Sequence, residues 1–213
     1  IPYLLEKGTL DSACGLGLAM GGFLNSFERV TDSPHHAAVP TLISAAGCFQ
    51  EDAWQSELRY LRAIKAANVS EARDARIAEQ ISHYKAAEAL NKAYLRTVEL
   101  FGEASADRCP SLETEEDQLV WMMGMLAGIQ AVQHDGASLR AVGVPSNVPV
   151  KAMRGMRCLD NEKWWGIPQA LTSAVWLIVP GSGADAVDAN GQPIDPYAAL
   201  ESSLKLAEKS EIK

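Results

Sequence analysis

The chain has few basic residues, few aromatics and no stretch that reads as a β-strand. Lys and Arg total 19 against 27 Asp and Glu, a formal net charge of −8. A binder of the phosphate backbone concentrates the opposite sign, which argues against a nucleic-acid partner. Aromatic residues make up only 7% of the sequence, and abundant alanine takes their place, a composition suited to close-packed helices. A membrane span is lacking too. The longest uncharged run, Trp164 to Ala184, is interrupted by Gly166, Pro168, Pro180, Gly181 and Gly183. About a dozen continuous apolar-rich residues remain, the length of a buried core helix. Close cysteine pairs are also absent. Cys14, Cys48, Cys109 and Cys158 stand too far apart for a zinc knuckle, so no metal site is expected. The Gly15-Leu16-Gly17 spacing follows no strand and precedes no ribose-binding acid, so it does not read as a nucleotide fingerprint. No cofactor is indicated.

What is present is helical. Pro40 to Ala67 reads as a long helix in which Leu42, Ala46, Phe49 and Ala53 form a stripe that passes into Trp54, Leu58, Leu61 and Ile64. The preceding Thr31-Asp-Ser-Pro-His-His reads as a turn, with His35 and His36 in solvent. Glu71 to Phe101 is the clearest helix, with Ser70 as its cap and Ile77, Ile81, Tyr84, Ala87, Leu90, Tyr94, Val98 and Phe101 at intervals of three and four. Acids in Ser111-Leu-Glu-Thr-Glu-Glu-Asp117 open the next helix, where they complement its dipole. Its body, Gln118 to Val132, is apolar on nearly every side and is expected in the middle of the domain. His134-Asp135 reads as helix termination, because no nucleophile motif accompanies it.

Near the end, Met153 to Val179 reads as helix, turn, helix. The first helix stops near Leu159, a polar elbow carries Asp160, Asn161 and Gly166, and the second opens at Ile167-Pro168. After the Pro180-Gly181 stop, Asp195 caps a last helix to Lys209 that is expected to pair with the 167–179 helix. Glycines at 15, 17, 21 and 22 weaken an N-terminal helix by about 1 kcal/mol each, unless another helix packs on its backbone. The reading is an all-α chain of stacked antiparallel helical hairpins, forming a single helical-repeat-like domain over residues 1–213, in which no 34-residue period repeats cleanly with tetratricopeptide signatures.

The cysteines permit two disulfides in three pairings, or buried thiols. Cys109, in a loop before Pro110, and Cys158, at a helix end before the elbow, are both free enough to meet disulfide geometry, so they are the chosen pair. Cys14 and Cys48 lie inside predicted helices, where the facing would have to coincide.

Three stretches resemble the T-component family of TRAP transporters. They are the opening Ile1-Pro-Tyr-Leu-Leu-Glu-Lys-Gly-Thr-Leu, the block Arg157-Cys-Leu-Asp-Asn-Glu-Lys-Trp-Trp-Gly-Ile-Pro, and the closing Pro180-Gly-Ser-Gly with Asp195-Pro-Tyr-Ala-Ala-Leu-Glu-Ser-Ser-Leu-Lys-Leu-Ala-Glu-Lys-Ser. The segment from Asp185 to Gln192 and the charged 71–101 helix depart from that pattern. The resemblance implies degenerate tetratricopeptide-like helical repeats in a periplasmic lipoprotein, lipid-anchored through a cysteine upstream of Ile1, that catalyses nothing and binds the transporter's extracytoplasmic solute-binding protein. It also implies assembly as a homo-oligomer as one option. Two other readings stay open: a helical-repeat scaffold for a different protein, and a carrier of a small apolar ligand in a cavity lined by Trp121, Met122 and Trp165.

Overall fold

Helices account for every regular element in the computed structural model, which describes residues 10–27, 35–105, 108–183, 186–187 and 190–210. They are α1 (Leu10–Phe27), α2 (His35–Lys65), α3 (Val69–Phe101), α4 (Glu115–Ala137), α5 (Val148–Met156), α6 (Ile167–Ile178) and α7 (Pro196–Lys209). Extended pairing among the described residues is limited to an isolated bridge between Val187 and Pro193. The opening Ile1–Thr9 and the Thr31–Pro34 part of the expected turn lie outside the described residues.

The frame is the antiparallel hairpin of α2 and α3, about 46 and 50 Å long at 1.5 Å per residue. Its seam is made of small side chains. Ala46, Ala53 and Ala63 on α2 are buried, as are Ala72, Ala75, Ala86 and Ala93 on α3. Ala46, Ala53 and Tyr60 fall seven residues apart, and so do Ala72, Glu79, Ala86 and Ala93, the repeat of two helices packed along one line. The buried Glu79 in this seam is satisfied by Arg76, whose guanidinium donates to both carboxylate oxygens at 2.7 and 2.8 Å.

Three expectations about this hairpin need correction. α2 begins before Pro40, so His35 and His36 are helical. Pro40 forfeits one helical hydrogen bond, while His36 contributes its own anchorage: Nε2 meets Asp117 Oδ1 at 2.7 Å and the ring packs edge-on against Phe101. Asn68, not Ser70, caps α3, its Oδ1 accepting from the Glu71 N–H at 3.2 Å. Ile77, Ile81 and Tyr84 are exposed rather than buried, because the alanine seam takes the inward side of α3 there.

Two helices clasp the lower half of the hairpin. α1 runs antiparallel to α2 at very short range: a Cβ at Gly17 would land on the Ser44–Ala45 backbone. The Cys14–Cys48 disulfide closes the same contact, with Cα atoms 5.1 Å apart. Cys14 and Cys48 do face each other, because the missing side chain at Gly17 brings the two backbones close enough. α4 packs on the other flank and forms the core. Val120, Trp121, Met125, Ala127, Ile129 and Ala131 are all buried. The Trp121 indole donates to the Gly155 carbonyl at 2.8 Å. At the start of α4, Thr114 and Asp117 form a reciprocal capping box. At its end, the buried Asp135 carboxylate accepts from the N–H groups of Val142, Gly143 and Val144 at 2.9, 3.3 and 2.8 Å and so shapes the return into α5.

The elbow after α5 is built from its own polar side chains. Asp160 Oδ1 accepts from the Glu162 and Lys163 N–H groups, and Asn161 Oδ1 accepts from that of Gln169. Gly166 has φ +83, and a Cβ there would meet the Ser203 backbone of α7 at 2.8 Å. Glycine therefore serves both the left-handed turn and the approach of α7. Asp195 caps α7, accepting from the Tyr197 N–H at 3.1 Å, and α7 packs along α6, where Gln169 donates to the Ala199 carbonyl.

Candidate functional site

Above its clasped base no other described helix packs on the α2–α3 hairpin. Gln50 Nε2 and His83 Nδ1 meet the two ring nitrogens of His134 at 2.9 and 2.7 Å. α4 ends three residues later at Ala137. Beyond that level roughly fifteen residues of each arm project, about 22 Å of helix. On α2, Ile43, Gln50, Trp54 and Leu61 follow at intervals of seven, four and seven, so Trp54 and Leu61 continue the side that carries α4 lower down. With α4 gone, Trp54, Leu58, Leu61 and Ile64 are 52%, 45%, 53% and 55% exposed. Four large apolar side chains in register on one projecting helix form a patch of the kind that marks an interaction site.

Charge is divided along the same helix, with Glu51, Asp52 and Glu57 toward the base and Arg59, Arg62 and Lys65 toward the tip. Arg59 pairs with Glu71 across the turn, and the Arg76 guanidinium lies 5.5 Å from the Tyr60 ring centre.

The histidines at the base of the projection are electrostatically distinctive. Burial, reinforced by the neighbouring His83, pushes His134 down to about 4. Burial also lowers His83, partly offset by the Glu79 and Glu57 carboxylates. Both rings are thus held neutral near pH 7, and one proton serves the Nδ1–Nδ1 contact. Among the described residues no group of three or more His, Cys, Asp or Glu side chains is placed to hold a metal ion. No described helix is long and apolar enough to cross a membrane.

Trp121, Met122 and Trp165, expected to line one cavity, fall in different environments. Trp121 and Met122 are filled core, whereas Trp165 is 38% exposed and stacks edge-on at 5.8 Å against Trp164. The elbow turns the inner place over to Trp164, which is buried and donates to Gln118 Oε1 at 3.1 Å. Cys109 and Cys158 form a disulfide with Cα atoms 5.5 Å apart, tying the segment before α4 to the end of α5.

The projecting stripe escapes sequence reasoning because Trp54, Leu58, Leu61 and Ile64 look like a continuation of the core stripe. The seven-residue alanine spacing is the signal that separates them. Once Ala46, Ala53 and Tyr60 define the inner line, the larger residues must point elsewhere. No family model matches this chain, and neither curated proteins nor solved structures show a similar one.

Proposed function

We propose that the chain is a non-catalytic accessory protein that grips another protein with its projecting α2–α3 hairpin, in the manner of the T component of a TRAP transporter. Its partner in this reading is the periplasmic solute-binding protein of such a transporter. The observation that carries the reading is the stripe Trp54–Leu58–Leu61–Ile64, exposed on a helix pair that no third described helix covers. An amphipathic helix face held out on a stiff arm suits insertion into a complementary apolar groove. The divided charges around it favour one orientation of the partner. Two disulfides support an oxidising compartment such as the periplasm.

Titration calorimetry of the purified chain against a TRAP solute receptor encoded beside its gene tests this. Binding that weakens at least tenfold in a Trp54→Ser, Leu58→Ser double variant of unchanged melting temperature is the expected result. No binding by the unaltered chain removes the TRAP assignment. Undiminished binding by the variant removes the hairpin as the contact. Should the receptor fail while an unrelated protein binds through the same residues, the general scaffold reading replaces the transporter one.

A further inference from the structure

A second surface, separate from the hairpin, lies between α5, α6 and the segment that leads to α7. It is a groove of about 430 Å³. Val150 and Met153 from α5, Trp176 from α6 and Val187 beyond it supply apolar walls, while Arg154 and Arg157 line the same space. The two arginines stand three residues apart at the end of α5, one helical turn, and so address one site. Lys151 on the same helix is held by Glu103 at 2.7 Å. Arg154 and Arg157 have no such side-chain partner among the described residues. In a chain of net charge −8, two adjacent guanidiniums with no carboxylate partner among the described residues, beside an apolar groove, form a complement to an external anion. The walls contain a further unmet demand: the Trp176 Nε1 donor is buried without an acceptor. Arg157 and Thr172 also line an adjoining groove of about 260 Å³, which extends the space past the elbow. The Cys109–Cys158 disulfide fixes the rim immediately after Arg157.

The geometry points to a binding site for an amphipathic monocarboxylate, its carboxylate held between Arg154 and Arg157 and its hydrocarbon body along Val150, Met153, Trp176 and Val187. A planar carboxylate matches the fork of a guanidinium, and two such forks fix its position. An inorganic anion would leave the apolar walls wet. A neutral hydrocarbon would leave the guanidiniums unpaired and partly desolvated. Neither satisfies both halves of the groove.

The probe is decanoate below its micellar concentration, compared by titration calorimetry with decanol, which has the same chain and no charge. Decanoate is expected to bind more tightly than decanol and to weaken as salt is raised. Replacing both cations, Arg154→Gln with Arg157→Gln, should lower its affinity at least tenfold. A second variant, Val150→Trp, fills the groove and should abolish binding with both arginines intact, so the site remains testable if the first variant folds poorly. The hairpin variant Trp54→Ser, Leu58→Ser should bind decanoate as the unaltered chain does. That arm separates this site from the hairpin's protein contact. Equal affinity for decanol and decanoate, no decanoate binding, full binding by Val150→Trp, or loss through the hairpin variant alone would each overturn the assignment.

Discussion

Trp164 and Trp165 are adjacent in sequence and opposite in environment. Trp164 is 7% exposed with its indole N–H satisfied by Gln118, whereas Trp165 is 38% exposed at φ +55, a backbone position that turns it outward. Truncating a buried aromatic costs about 3–5 kcal/mol, and a half-exposed one far less. Trp164→Ala should therefore lower the urea midpoint strongly, while Trp165→Ala and Trp54→Ala cost about 1 kcal/mol or less and move it little. Comparable losses at 164 and 165, at equal urea slopes, would contradict the placement. Asp135 presents a second contrast at this scale. Its buried carboxylate is the acceptor for three backbone N–H groups. Asp135→Ala strands all of them and should cost on the order of 3 kcal/mol, because orphaned buried donors pay their desolvation in full. Asp135→Asn keeps one accepting oxygen and should cost less in the same urea titration.

Element positions were largely legible because proline, glycine and capping residues mark helix ends by local chemistry. Pro168, Asp195 with Pro196, and the acids before Gln118 all sit where the structure begins a helix. Facing was less legible, since it depends on which neighbour arrives. The Cys14–Cys48 contact depends on how closely α1 approaches α2 at Gly17, and the choice between Trp164 and Trp165 depends on the turn at Gly166. The stacking of α4 on α3 carries a titratable contact that no sequence spacing reveals, the His83–His134 pair. A histidine whose folded pKa lies below its unfolded value takes up protons more readily when unfolded. Its contribution is therefore complete above the unfolded value of 6.5 and is lost as pH falls from there toward 4, where folded His134 protonates. That displacement corresponds to ~3 kcal/mol at full weight. Solvent reaches part of the ring, so on the order of 1–2 kcal/mol should remain. Urea unfolding at pH 7.5 and pH 5 should show this loss, and His134→Gln should flatten it. An unchanged slope in that variant would assign the pH dependence to other groups.

The described residues divide into a clasped base and an arm that no other described helix covers. At the base, α1, α4 and two disulfides surround the lower hairpin, and Trp121, Met125, Leu90 and Met156 are sealed in the core. The arm beyond Gln50 and His83 has a seam of Ala53, Ala63, Ala72 and Ala75, each with one methyl to bury. At about 0.8 kcal/mol per buried carbon, four such methyls contribute ~3 kcal/mol. The exposed Arg59–Glu71 pair adds little to that. Opening the arm releases the backbone entropy of its residues in exchange for helical hydrogen bonds and this thin seam. The arm should therefore open in a local step that leaves the core intact. Native-state hydrogen exchange reads this directly. Amides from 56 to 78 should exchange through an opening whose free energy is only weakly sensitive to urea, while those from 120 to 131 exchange only on global unfolding. Because neither disulfide lies in the arm, reduction should lower protection in the core more than in the arm. Equal opening energies in the two regions, with equal urea dependence, would mean that arm and base unfold as one unit.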